Sequence, residues 1–591
     1  MIGTRDAPVT PEVEEFIVTR HRRMAIVLAL ATTSSMFLFT GASQAAPEGR
    51  FRYPEIQRAN DLPPLSGPAD VTFADAIADA DAPDLEATAA APLVASDDIQ
   101  VNGDNKANPT DQYGSGEGLP SNETTIAINP LDPNIVAAAA NDYEPGVDSV
   151  QGIYMSFDGG HTWPYSRHAR QVITPDRRML GSGDPVVAWD SAGVVYQSFI
   201  SFGRADCDSY IAVTRSVDNG VTWTYPTDAQ SAGTLHLVGD GIVVHNGGPD
   251  DCQIFHDKEW MTAGVRPEGV PLVAGSDLAH VGTDRLYVTW TRFDFDTGGI
   301  GFVDAAIWLS YSDDQGRHWS EPQEVSGSAR FCAFQFGDDD GDCDEDQFSV
   351  PVVDPNDGTL YVAFENFNVE SLRRNQLLMV RSTDGGQTFT APQRITPVFD
   401  GPLMYPVCLG RQTLDDMCAR TPSTFGIDLD PNTGRLHVAW MDNRNGSAAD
   451  TNTDVFTRYS DNGGDSWSPT LNLTEGSTVD QFFPWLSVNP NGVVAVVYYD
   501  RQFAYPLIDT SMAVSTDGGA SYASHRVSEV SWNPDLAFRL GVFIGDYNGI
   551  DTSETSALPF WTDARFAEPN TPGNNPPHQQ SDVMVDVEPL P

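Results

Sequence analysis

The stretch "SFDGGHTW", residues 156–163, is written six times along the chain. Near-copies stand at 216–223 ("SVDNGVTW"), 312–319 ("SDDQGRHW"), 382–389 ("STDGGQTF"), 460–467 ("SDNGGDSW") and 515–522 ("STDGGASY"). A local unit repeated at this length cannot bury its apolar face alone and gains a core by stacking on its neighbours. This one feature excludes most folds open to a chain of 591 residues.

A second repeat is interleaved with the first. It reads "ETTIAINPLDPNIVAAAAND", "DPVVAWDSAGVVYQSFIS", "DRLYVTWTRFD", "FSVPVVDPNDGTLYVAFEN", "FGIDLDPNTGRLHVAWMDNR", "PWLSVNPNGVVAVVYYDR" and "GDYNGIDTSETSALPFWTDAR". Each copy is two apolar runs around a turn of Asp, Asn, Pro or Gly, the signature of a β-hairpin; in the third the first strand lies back at "KEWMTAG". A third strand, the eight-residue motif and a short fourth strand follow all but the last. Four antiparallel strands per unit, recurring every roughly 50 to 90 residues, predict an all-β propeller. Seven hairpins against six motifs favour seven blades, with six as the alternative. The seventh unit lacks a fourth strand of its own, and "DIQVNG" at 98–103 is placed to supply it and close the ring.

The eight-residue motif resembles the Asp-box, or BNR repeat, of the sialidase superfamily, over about residues 97 to 590. Ser156, Gly160 and Trp163 of the first copy match Ser515, Gly519 and Tyr522 of the last. The third position is Asp158, Asp218, Asp314, Asp384 and Asp517, but Asn462 in the fifth copy. Turn chemistry accounts for the pattern: a short acid or amide accepts from its own backbone, Gly takes positive φ, and the aromatic packs between sheets. The alternative, six calcium or sugar sites, is not needed to explain any residue.

The motif lies in the C-to-D turn of each blade, counting strands outward from the axis. A-strand starts and B-strand ends therefore gather at the opposite mouth, where ligands bind. A-strand starts bring Glu123, Asp184, Asp257, Lys258, Glu259, Gln347, Gln481, Asp546 and Tyr547; B-strand ends bring Asp142, Arg292, Glu365, Asp442, Arg444, Asp500, Arg501, Asp563 and Arg565. Catalytic sialidases hold a substrate carboxylate with three arginines and pair a Tyr nucleophile with Glu, beside an acid/base Asp. The resemblance implies Arg292, Arg444, Arg501 and Arg565 as the pool for the triad, Tyr547 or Tyr143 as nucleophile, and Glu259, Glu365 or Glu123 as its partner, with Asp546 beside them. Glu123, Asp184, Glu365, Asp442, Asp500 and Asp563 are the expected binding carboxylates. Two observations stand against a full transfer: the family's Phe/Tyr-Arg-Ile-Pro motif is replaced by "SNETTIAINP", and a seventh blade exceeds the catalytic six. The Asp–Arg pairs also read as ties between blades.

The resemblance implies an exported, sialidase-like, glycan-active protein, a hydrolase of sialic-acid-type or other acidic glycans. The alternative is a non-catalytic propeller binding a glycan, a glycoprotein or another extracellular protein. In "GDDDGDCDED", residues 337–346, alternating Asp340, Asp342, Asp344 and Asp346 are a candidate structural calcium site, against a solvated acidic loop. No other cofactor is implied.

Net charge is −50, with Lys106 and Lys258 the only lysines, which excludes nucleic acid and anionic membrane as partners. The basic cluster Arg20–Arg23, the apolar run "MAIVLALATTSSMFLF" and the small residues "GASQAA" predict a signal peptide over 1–45, cleaved near Ala45, and a secreted or periplasmic location; an uncut anchor is the alternative. Residues 46–96, rich in Ala, Asp and Pro, read as a linker or propeptide, and 97–591 as the propeller, a monomer not inserted in membrane. Six cysteines in an exported chain predict three disulfides, Cys332–Cys343, Cys408–Cys418 and by remainder Cys207–Cys252, other pairings staying open.

Overall fold

The structure, a computed structural model, describes residues 98–591 apart from 103–119, 144–148, 169–171, 173–180, 204–206, 227–240, 249–250, 296–301, 333–334, 336–340, 368–373, 402, 539–540 and 568–579. The predicted signal peptide and linker lie outside the described residues. Seven antiparallel sheets stand around one axis, each entered at its innermost strand A. The A strands are Ser121–Ile128, Gly181–Trp189, Ile254–Val265, Asp346–Val353, Phe425–Leu429, Gln481–Val488 and Gly549–Thr552, in blades I to VII. Each A strand touches the next, and that of blade VII touches that of blade I, so the ring is closed. Among the described residues the helical pieces are 3-10 turns of three residues, and no helix is long and apolar enough to cross a membrane.

Blades I to VI run A-B-C-D in chain order. In blade VII the fourth strand comes from the other end of the folded chain. Ile99–Gln100 pairs antiparallel with the third strand Asp582–Val585, in register Ile99 with Val585 and Gln100 with Met584. Side chains lock this closure: Gln100 Nε2 donates to Asp582 Oδ1 at 2.9 Å, and Arg565 binds Asp98 at 2.7 Å. Seven blades and the N-terminal closing strand are thus as the repeat count predicts.

The Asp-boxes sit at the ends of the C strands and make the same bonds. In the first, Ser156 Oγ accepts from Gly160 N (2.9 Å) and donates to Asp158 Oδ1 (2.9 Å), while Asp158 accepts from the backbone and hydroxyl of Thr162 at 2.8 and 2.7 Å. Gly160 takes φ +95°, and a Cβ there would meet Leu558 at 2.8 Å, so the neighbouring blade fixes that position too. In the fifth copy Asn462 keeps the backbone bond from Ser466 and reverses the second one, donating to Ser466 Oγ at 2.9 Å. The Ser, the Asp or Asn, the Gly and the residue four after the acid are thus used in closing the turn itself.

The core lies between the sheets. In the second half of the B strands, Ala140, Phe199, Trp290, Phe364, Trp440, Tyr498 and Trp561 are at most 1% exposed. The three disulfides are Cys207–Cys252, Cys332–Cys343 and Cys408–Cys418, with Cα separations of 5.0, 5.1 and 5.3 Å. All lie in connections on the face away from the Asp-boxes.

Candidate functional site

The mouth opposite the Asp-boxes is built by one backbone device used five times. Near the start of the A strand, two residues oppose one on strand B, a β-bulge, between Asn122 and Thr125, Gly183 and Val186, Asp257 and Trp260, Gln347 and Val350, and Phe482 and Trp485. The first residue of each bulge is left-handed and is not glycine: Glu123 (φ 59°), Asp184 (55°), Lys258 (49°), Phe348 (56°) and Phe483 (50°). Such backbone costs of order 1–3 kcal/mol per residue and re-aims the side chain that bears it. Three of the five residues so held are Glu, Asp and Lys, on consecutive blades.

Blade VII completes the cluster without a bulge, through "GDYNG", residues 545–549. Gly545 (φ +89°) passes so close to blade I that a Cβ would stand 2.8 Å from Glu123 N, and one on Gly549 would stand 2.9 Å from Thr124 O. Asp546 and Tyr547 are thereby held beside Glu123. Arg420 grips Asp546 through both carboxylate oxygens, its Nε donating at 3.0 Å.

Glu123, Asp184, Lys258, Glu259, Asp546 and Tyr547 are all at most 3% exposed, so the cluster is closed to solvent in this conformation. Asn141 joins its halves, donating to Glu123 Oε2 and accepting from the backbone N–H of Asp184 at 3.0 Å. Burial, then the charges of Asp184 and Asp546, push the Glu123 carboxyl well above its usual range. Burial and then Asp184 do the same to Glu259, whose Oε1 accepts from Ser198 Oγ at 3.1 Å. Burial, followed by Glu123, Asp184, Glu259 and Asp546, drives the Tyr547 phenol up, so it is a neutral donor rather than a phenolate.

Lys258 is the cation inside this acid group. Its Nζ lies 3.9 Å from the centroid of the Tyr547 ring and 4.6 Å from that of Trp260. Trp260 in turn packs on Trp485 at 4.4 Å, and the three rings floor the site above the central channel. Among the described residues, Lys258 Nζ, Glu259 Oε2 and Tyr547 OH find no hydrogen-bond partner. Below the floor a cavity of about 170 Å³ runs between the A strands, past Asp428, Ser487 and Asp551.

The four arginines expected to converge do not share a partner. Arg292 binds Asp294 (2.9 Å), Arg444 binds Asp442, Arg501 binds Asp480 (2.9 Å), and Arg565 is held between Asp563 (2.6 Å) and Asp98. Asp500 is taken up by Gln481, Gln502 and Ser511 instead of by Arg501. Glu365 is buried beside Asp400; burial and then the charge of Asp400 raise its carboxyl, and Asn375 donates to it at 3.4 Å. Tyr143 packs edge-on against Phe538 at 5.3 Å.

In the acidic loop, Asp340 lies outside the described residues. Asp342 is exposed, whereas Asp346 is buried within strand A of blade IV and accepts from Asn366 at 2.6 Å. Among the described residues no group of three or more His, Cys, Asp or Glu is arranged to hold a metal ion.

Sequence reading missed Arg420, Asn141, Ser198 and the Trp260–Trp485 floor. The paired glycines of "GDYNG" were a usable signal of close approach. The bulges were not, because Glu, Asp, Lys and Phe are not residues that announce positive φ.

Comparison with known proteins gives a match of residues 284–537 to the BNR repeat-like domain, in line with the Asp-boxes. A search of curated proteins finds no match. Among solved structures, a Hadza microbial sialidase is 13% identical, over 78% of this chain and 75% of its own, with a TM-score of 0.38. An α-L-arabinofuranosidase of Fusarium graminearum is 12% identical, over 73% and 98%, at 0.38. The phage phi92 endosialidase is 11% identical, over 84% and 70%, at 0.43.

Proposed function

We propose that this BNR-repeat propeller is an exported glycan-active protein whose site is the closed mouth of Glu123, Asp184, Lys258, Glu259, Asp546 and Tyr547, and that it hydrolyses glycosides there. One observation carries the reading. Among the described residues a buried ammonium, a carboxyl oxygen and a phenol gather here without hydrogen-bond partners, and a buried polar group left so costs about 1–3 kcal/mol. A polyol supplies both the acceptors that Lys258 needs and the hydroxyl donors that carboxylates need. Sugars are the common ligands with that mixture.

Glycoside hydrolysis asks for one protonated carboxyl to donate to the leaving oxygen and one carboxylate to act on the sugar or on water. Glu259, whose carboxyl burial pushes well above the usual range, suits the first role; the adjacent carboxyls of Glu123 and Asp184 suit the second. The substrate best matched is uncharged. Arginine is what recognises a sugar carboxylate in two-point fashion, and Arg292, Arg444, Arg501 and Arg565 are each committed to an aspartate. This shifts the acidic-glycan expectation towards neutral sugars. The burial of the cluster favours a second reading, a non-catalytic glycan-binding propeller in which the same groups tie blades I, II, III and VII.

Purified protein assayed on fluorogenic arabinosides, xylosides, galactosides and sialosides separates these readings. Turnover of an uncharged glycoside, reduced roughly 100-fold or more in Glu259→Gln, is expected of the hydrolase. Absence of turnover on all of them by folded protein, with sugar binding retained, selects the binding module.

A further inference from the structure

Beyond the mouth, the B-to-C connection of blade VI carries two aromatic rings in solvent, Phe503 and Tyr505, exposed at 45% and 42%. It joins strands Val494–Asp500 and Asp509–Ser515, so it stands on the same face as the candidate site. Large exposed aromatics are not unusual singly, but these two are fixed in place.

Tyr505 is held at two points. One face of its ring rests on the Arg501 guanidinium, 4.6 Å from the centroid. Arg501 itself is fully buried and bound to the Asp480 carboxylate and the Asp415 backbone carbonyl, each at 2.9 Å. The phenol donates to Asp416 Oδ2 at 2.9 Å, which fixes the ring's rotation. Phe503 is backed in the same way by Arg526, at 5.1 Å, and Arg526 is anchored on Asp509. Each ring therefore has one face on a cation and a rigid support, and presents its remaining surface outward. A preorganised aromatic that loses no rotamer freedom on contact is an efficient binding element.

We propose that Tyr505 and Phe503 form a stacking platform for one or more uncharged sugar residues of a glycan chain whose other end reaches the mouth. Uncharged follows from the rim. Asp416 is exposed beside Tyr505, Asp415 is half-buried next to it, and the whole chain carries −50, so a polyanionic glycan is repelled where a neutral pyranose or furanose, with its C–H face on the ring, is not. The platform rests on the glycan-active reading and adds to it a chain-length preference: the substrate is a polymer, not a terminal sugar alone.

The test is affinity electrophoresis and calorimetry of the full protein with linear arabinan, xylan and mixed-linkage glucan, with polygalacturonate as the acidic control. Wild type is expected to be retained by at least one uncharged polymer and not by polygalacturonate. Tyr505→Ala weakens that binding by roughly tenfold, in line with the energy of one aromatic contact, and Tyr505→Trp restores it. Hydrolysis of short aryl glycosides, which need only the mouth, stays unchanged in Tyr505→Ala. Polymer binding unchanged by Tyr505→Ala and Phe503→Ala overturns the platform and leaves the function standing; failure of wild type to bind any polymer overturns the platform, and overturns the function as well where short aryl glycosides are neither bound nor turned over. Self-association abolished by the same substitutions assigns the patch to a second copy of this chain and also overturns the sugar platform.

Discussion

Asp314 shows what a single Asp-box residue does. It is fully buried and accepts from Ser312 Oγ, the backbone of Asp277 and His318, and His318 Nδ1, between 2.6 and 3.1 Å. Those bonds hold its carboxyl below its usual range even against burial. Asp314→Ala should cost about 2 kcal/mol in urea unfolding, since it strands several donors at once. Asp314→Asn should cost less, because Asn462 keeps the backbone bond in the fifth copy, although the N–H of Asp277, which donates to Oδ2, loses its acceptor. Equal losses in the two variants would mean that charge, not hydrogen bonding, holds the turn. The role of these residues was legible in the sequence because the chemistry is local: every partner of Asp158 lies within four residues.

Individual strands were legible for the same reason, and their irregularities were not. Alternating apolar residues and Asn/Gly turns gave each hairpin, and even the borrowed strand Ile99–Gln100 was visible as a missing partner. The bulges that aim Glu123, Asp184 and Lys258 fall at residues other than glycine, which seldom take positive φ, so no local pattern marks them. Arg501 illustrates the limit: "YYDR" suggested a pairing with Asp500, but the guanidinium reaches Asp480 at the start of the same blade. The pairs Arg444–Asp442 and Arg565–Asp563 follow the local sequence, two residues apart, while Arg501 passes over its neighbour Asp500. Gly545 is the point where packing between blades is most exposed to test. Gly545→Ala forces a left-handed alanine against Glu123 and should reduce any activity of the mouth roughly 100-fold while far-ultraviolet dichroism stays native. Unchanged activity in a folded Gly545→Ala would show that the position of Glu123 does not matter.

At the scale of the whole ring, acids along the channel hold adjacent blades. Asp428 of blade V accepts from Val488 N of blade VI at 2.8 Å, and Asp551 of blade VII accepts from Ile128 N of blade I at 2.7 Å. Burial, and then Asp551, push Asp428 up to about 7 from 3.8; burial pushes Asp551 up to about 6. Both acids hold a proton more tightly folded than unfolded. Their contribution is therefore complete below about pH 4 and is lost as pH rises through about 6 to 7. Wild type should gain thermal stability relative to Asp428→Asn as pH falls from 8 to 5, a range in which a carboxylate of ordinary pKa contributes no slope. Parallel stability curves for the two proteins would contradict that reading.

Whether the mouth cluster or the arginines carry the function is decided by comparing Glu259→Gln with Arg292→Ala on one uncharged glycoside, both variants checked for native folding. kcat/KM should fall roughly 100-fold or more in Glu259→Gln and by no more than a few-fold in Arg292→Ala, whose guanidinium serves Asp294. Full activity in Glu259→Gln, together with loss in Arg292→Ala and a preference for sialosides, would return the site to the arginines and contradict the mouth cluster as the seat of function.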